Sequence, residues 1–106
     1  MSYLMEVYVP LTYKDGRVIP PAVLGHELNT LAYTFGGAPI VPDCTGFWVN
    51  PQRQMIQDRV EIWRIVCATY DPIFWKHYKK HACELYGQDE MFLTVTETRI
   101  VGEEVN

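Results

Sequence analysis

Two hydrophobic periods alternate along the chain. Residues 3–9, YLMEVYV, put Met5, Val7 and Val9 on one side and Leu4, Glu6 and Tyr8 on the other, the two-residue alternation of a strand. A turn signal follows at Asp15-Gly16. The period then changes. Leu24, Leu28, Leu31 and Phe35 recur at helical spacing behind Pro20-Pro21, with His26, Asn29 and Tyr33 on the far side, and Gly36-Gly37 supplies the stop. Residues 38–49 read as extended, with Pro39 and Pro42 marking an edge strand whose regular part is Thr45–Val49. Asn50-Pro51 opens a polar connection, NPQRQMIQ. Residues 58–69, DRVEIWRIVCAT, are apolar on both faces, as a central strand requires. Asp71-Pro72 is an N-cap followed by a first-turn proline, and Gly87 ends the helix they open. Phe74, Tyr78, His81, Ala82 and Leu85 form its inner stripe, while Lys76, Lys79, Lys80 and Cys83 face out. Residues 91–101, MFLTVTETRIV, form the last strand.

The order β-α-β-β-α-β, with right-handed crossovers, predicts an α+β ferredoxin-like sandwich over residues 1–106 as one domain. Its four-stranded antiparallel sheet has order 4-1-3-2, with both helices on one face. The first and third strands are then central neighbours, and the other sheet face is left open. If Met5, Val7, Val9, Val60, Ile62 and Val66 face the helices, the open face carries Glu6, Tyr8, Arg59, Glu61, Trp63, Ile65 and Cys67. An exposed Trp63–Ile65 pair with Tyr8 and Trp48 nearby marks an interface or a ligand site, sheet-to-sheet homodimerisation being the leading reading and a small-molecule pocket the next. The same face assignment points Arg64 towards the helices. A charge there needs an acid at the layer edge or a bulge that shifts the register.

The totals narrow the function classes. A length of 106 residues suits a single core, and 48% hydrophobic with 21% charged residues excludes a disordered chain. The net charge of −4 argues against nucleic acid or an anionic membrane as partner, since phosphate binding needs a concentrated cationic surface. Cys44, Cys67 and Cys83 are odd in number and widely spaced, which fits free thiols in the cytoplasm better than a disulfide framework or a zinc knuckle. The N-terminus, MSYLMEVYVP, lacks the pattern of a signal peptide, and no apolar run reaches the ~18 residues of a membrane helix.

Candidate chemistry is sparse. His77 and His81 in HYKKH stand one helical turn apart, a spacing that can bind zinc, but no HExxH or third ligand accompanies them, and a structural His81 is the simpler expectation. Glu6 and Glu61 could meet on neighbouring strands, where like charges favour the protonated form and create a general base. Pairing with Arg59 or Arg99 is the alternative. Cys67 lies in a strand with no cationic partner in view, so it reads as a buried or interface residue. Ser2 is the only serine, and no Walker, GxGxxG or GxSxG pattern occurs, so a serine-triad hydrolase and a phosphate loop are both excluded and no cofactor is expected.

Gly36-Gly37, Gly46-Phe47-Trp48, Asp58, Phe74-Trp75-x-x-Tyr78 and Gly87-Gln88-Asp89-Glu90 give the chain a resemblance over residues 35–96. It is similar to a group of small bacterial proteins and, more distantly, to the domain-of-unknown-function family DUF3574. The resemblance implies a ferredoxin-like fold and no particular activity. The family pattern commonly has an acid where this chain has Arg64, so any role of that acid does not carry over.

Two function classes follow. One is a non-catalytic homodimeric module that binds a protein or small ligand through its open sheet face, with Tyr8, Trp48, Trp63 and Ile65 as contact residues. The other is a dimeric α/β-barrel-type enzyme, a cofactor-free oxygenase, isomerase or lyase. Its cavity would be lined by Tyr8, Trp48 and Trp63, with Glu61, Glu6 or His77 as the base.

Overall fold

All six expected elements form, in the expected order. The computed structural model describes residues 1–103. It contains β1 (Ser2–Pro10), α1 (Pro21–Phe35), β2 (Ile40–Val49), β3 (Met55–Cys67), α2 (Pro72–Leu85) and β4 (Leu93–Thr98). The strands form one antiparallel sheet in the order β2-β3-β1-β4, the ferredoxin-like arrangement.

Local chemistry sets the element ends. Pro21 starts α1, and Gly36 ends it in the left-handed region (φ 93°), where its N–H donates to the Ala32 carbonyl at 2.7 Å. Asp71 caps α2 through Oδ1, which accepts from the Ile73 and Phe74 amides at 3.0 and 3.1 Å. The β2–β3 turn is much tighter than the polar stretch suggested. Asn50 Oδ1 accepts from the Gln54 amide at 2.8 Å, Asn50 Nδ2 donates to Gln54 Oε1 at 3.0 Å, and Arg53 takes a positive φ of 64°. This clamp closes the turn in five residues, so Met55, Ile56 and Gln57 belong to β3 rather than to a loop.

The core lies between the sheet and the helices. Met5, Val7 and Val9 of β1 face it, as the alternation predicted. On β3 the predicted face is reversed. Val7 is paired with Trp63, Met5 with Ile65 and Tyr3 with Cys67, so these three β3 residues face the helices and are almost wholly buried. Ile62, Arg64 and Val66 turn to the open face instead. Both faces of β3 carry apolar residues, and a one-residue change of parity flips every side chain. Volume and charge decide between the two. The large indole of Trp63 fills the space between the layers, while Arg64 goes where Glu6 meets it in an ion pair at 3.5 Å. A bulge does exist, between Val41 and Cys44, but it lies in β2, where Asp43 has a φ of 54°.

On α2, Trp75 and Ala82 occupy the buried positions, followed by the C-cap Tyr86, with Tyr78 and Cys83 packed beside them. The expected stripe is thus rotated slightly. Phe74 and Leu85 sit at its rim, and Cys83 turns inward. Phe35 of α1 stacks on Trp75, with centroids 5.3 Å apart, and joins the helices.

β1 reaches only to the Pro10–Val60 pair, so β2 and the first five residues of β3 continue alone as a two-stranded ribbon. At ~3.3 Å per residue, the 13-residue β3 spans roughly 43 Å. The molecule is accordingly elongated, 50 × 31 × 27 Å.

Replacing Trp63 with alanine should destabilise the fold by about 3–5 kcal/mol in chemical denaturation, the cost of an emptied core site. A loss below about 1 kcal/mol would place this side chain outside the core.

Candidate functional site

The open sheet face has a different membership from the one expected. Strand alternation and register give it Leu4, Glu6 and Tyr8 from β1, Val60, Ile62, Arg64 and Val66 from β3, and Cys44, Gly46 and Trp48 from β2. Tyr8 and Trp48 are where the sequence placed them. Trp63 and Ile65, each 0% exposed, are under the helices and do not contribute.

An aromatic row crosses the face where the ribbon begins. Phe92, immediately before β4, has its ring 5.0 Å from Tyr8 and 5.9 Å from Trp48, centroid to centroid. The Trp48 indole folds back along its own strand over Gly46. A Cβ built on Gly46 would stand 2.7 Å from the indole, so only glycine leaves the ring this place. Val60 lies on the same face by alternation and is buried, although it is not part of the helix-side core. The row is thus a second, smaller apolar layer. Phe92 (49% exposed) and Ile56 (40%) leave it partly uncovered.

The ribbon continues this layer past the end of the helices. Phe47, Val49 and Met55 lie on its helix side with 61%, 60% and 65% exposure, while Trp48 and Ile56 lie on its open side. Phe92, Ile56 and Phe47 had no signal in the predicted patch. Phe92 lies in the segment expected to be the last strand, whereas β4 begins only at Leu93, and the ribbon residues fall in or beside the expected connection.

The candidate acids and histidines do not converge on this face. Glu6 is there, engaged with Arg64. Glu61 is paired with Val9 and points to the helix side, so the two carboxylates lie on opposite faces and no Glu6–Glu61 dyad exists. The Trp63 Nε1–H donates to Glu61 Oε1 at 2.8 Å. His77 is exposed on α2. His81 Nε2 meets Glu27 Oε1 at 2.7 Å, a buried acid in the middle of the α1 apolar stripe. Among the described residues, no three His, Cys, Asp or Glu side chains are placed to hold a metal ion. Burial pushes the Cys67 thiol above its ordinary value, and burial does the same to Cys83, which disfavours the nucleophilic thiolate at both. Two shallow depressions open around Gly36; of the open-face residues only Val66 lines one of them, and none of the candidate acids, histidines or aromatic residues does.

No family model matches the chain, and no curated protein matches it by sequence. The resemblance to DUF3574 therefore rests on the quoted motifs alone. The fold has clear counterparts among solved structures. A phage SAM lyase in complex with S-methyl-5'-thioadenosine is similar with a TM-score of 0.68 and 13% identity, over 91% of this chain and 81% of that one. The divalent cation tolerance protein (Cut A1) from Thermus thermophilus is similar with a TM-score of 0.63 and 14% identity, over 100% of this chain and 88% of that one. At these identities the likeness concerns the ferredoxin-like fold, including its strand order.

Gly46→Ala should displace the Trp48 indole and cost about 1–3 kcal/mol of stability, the usual penalty for overpacking. The check is the Trp48 indole resonance together with a denaturation midpoint, and an unmoved resonance would contradict the contact.

Proposed function

We propose that this chain is a self-associating module in which a second copy covers the ribbon and the apolar layer continuous with it on the open sheet face. The observation that carries this reading is the ribbon, residues 45–49 with 55–59. It projects beyond the helix layer and carries large apolar side chains on both sides, Phe47, Val49 and Met55 on one and Trp48 and Ile56 on the other. An isolated two-stranded hairpin is marginal in water, and one with exposed Phe47, Val49 and Met55 gains most from being covered. A second copy suits the site because the apolar layer runs unbroken from the ribbon to Phe92. A homodimer is the smallest assembly that satisfies it.

The contact residues of this reading are Tyr8, Trp48, Phe92, Phe47 and Met55. Trp63 and Ile65 act by holding the sheet against the helices. Three free cysteines support a reducing compartment, the cytoplasm, as the place of action. No helix among the described residues is long and apolar enough to cross a membrane.

A second reading, an enzyme that closes an apolar cavity between associated sheets around a small molecule, is supported by the Tyr8–Phe92–Trp48 row, whose ring faces could stack on such a ligand. It keeps Tyr8 and Trp48 as wall residues and loses both Trp63 and the paired-carboxylate base.

Sedimentation equilibrium should give the wild type a mass of at least two chains at micromolar concentration. Phe47→Lys combined with Met55→Lys should return a folded single chain, because two charges cannot be buried unpaired. A wild type that stays monomeric at high concentration contradicts the proposal.

A further inference from the structure

The open sheet face carries one carboxylate and one guanidinium at its centre. β1 and β3 are the two middle strands, and Glu6 and Arg64 stand directly opposite each other on them. Apolar side chains frame the pair along both strands, Leu4 and Val66 on one side and Tyr8 and Ile62 on the other. Across the sheet, Thr94 of β4 stands beside Glu6, and the Arg64 amide donates to the Pro39 carbonyl at 2.9 Å. On β1, on β4 and on the length of β3 that pairs with β1, no other charged side chain falls on this face.

The pair is incompletely bonded within the chain. Arg64 Nε lies 3.5 Å from Glu6 Oε2, longer than the ~2.8 Å of a charge-assisted hydrogen bond. Neither group has another ionic partner among the described residues, and these supply no acceptor for the terminal nitrogens of the Arg64 guanidinium. The Glu6 side chain is already only 26% exposed, while Arg64 keeps 47%. Any partner that covers this face removes the rest of their water. An ion pair without good hydrogen bonds does not offset that loss. The occupant must therefore bring a carboxylate to Arg64 and a cation to Glu6, at the spacing of two neighbouring strands. An apolar ligand brings neither, and a partner of one charge sign answers only one of the two. A second copy of the chain brings both.

Building on the self-association proposed above, we infer that two copies meet through a reciprocal quartet, in which Arg64 of each copy binds Glu6 of the other. The inference rests on that reading and adds the orientation of the copies. A two-fold axis in the plane between two sheets can run across the strands or along them. Run across them through the pair, it sets Glu6 over the partner's Glu6 and Arg64 over the partner's Arg64. Run along them between β1 and β3, it sets Glu6 over the partner's Arg64, and Arg64 over the partner's Glu6. Only the second axis matches opposite charges, so the charges select the orientation as well as the occupant. The same axis lays Tyr8 over the partner's Ile62 and Leu4 over the partner's Val66, which closes an apolar frame around the quartet. Sheets packed face to face lie roughly 10 Å apart, a gap that an arginine and a glutamate side chain span together.

Native mass spectrometry of mixed full-length variants tests the quartet. Glu6→Arg makes the four groups of a homodimer all cationic, and Arg64→Glu makes them all anionic. Each variant alone should self-associate about ten-fold or more weaker than the wild type. Mixed in equal amounts, the two should form the heterodimer beyond random proportion, because each copy then meets the opposite charge. Glu6→Gln and Arg64→Gln place no like charges within a chain, so they keep the test if either reversal unfolds. Their mixture should also favour the heterodimer, the only pairing that retains one Glu6–Arg64 contact between copies. Variants that associate as tightly as the wild type, or mixtures that pair at random, overturn the quartet and leave the ribbon reading standing. A wild type that stays a single chain at high concentration contradicts self-association itself, and the quartet falls with it.

Discussion

The rest of the structure depends on which way β3 faces. Its two rows, one with Glu61, Trp63, Ile65 and Cys67 and the other with Val60, Ile62, Arg64 and Val66, are nearly equal in apolar character. Only one arrangement puts the Trp63 indole between sheet and helices and leaves Arg64 beside Glu6. The reverse would bury a guanidinium under two helices and leave the indole on a bare sheet. An unpaired buried charge costs several kcal/mol, and a tryptophan returned to water forfeits some of the largest burial in the chain. Both penalties act in the same direction, so the choice of face is strongly determined.

That choice shapes both surfaces of the sheet. With Trp63 inside, Glu61 goes inside with it, and the indole N–H becomes its partner. Glu27 and His81 meet from the two helices above. With Trp63 gone from the open face, the apolar content there comes from Tyr8, Phe92, Trp48 and Ile62, with Val60 buried among the strands. This layer leads into the ribbon, which exists because β1 stops at Pro10 while β2 and β3 run on to the Asn50–Gln54 clamp. The ribbon's exposed Phe47, Val49 and Met55 thus lie at one end of the molecule, beyond the reach of the helices.

Much of the fold was legible because its signals are local. Pro21 with Gly36, and Asp71 with Pro72, bracket the helices through capping chemistry that depends only on neighbouring residues. The alternation of β1 was unambiguous, since Glu6 occurs on only one of its faces. The site was less legible. The face of β3 is settled by packing across the layer, which alternation within DRVEIWRIVC cannot express. The β2–β3 turn depends on hydrogen bonds between Asn50 and Gln54, and their polar side chains look the same in a long loop and in a tight clamp. Glu27 could have been noticed, because a carboxylate one residue before Leu28 and four before Leu31 sits where an inner stripe calls for an apolar side chain.

Hydrogen exchange at the backbone amides of residues 45–49 and 55–59 tests the central claim, that another copy covers the ribbon. Protection of these amides should rise with protein concentration, while the amides of β1 stay protected throughout. Rapid exchange in the ribbon, unchanged from low to high concentration, would contradict it.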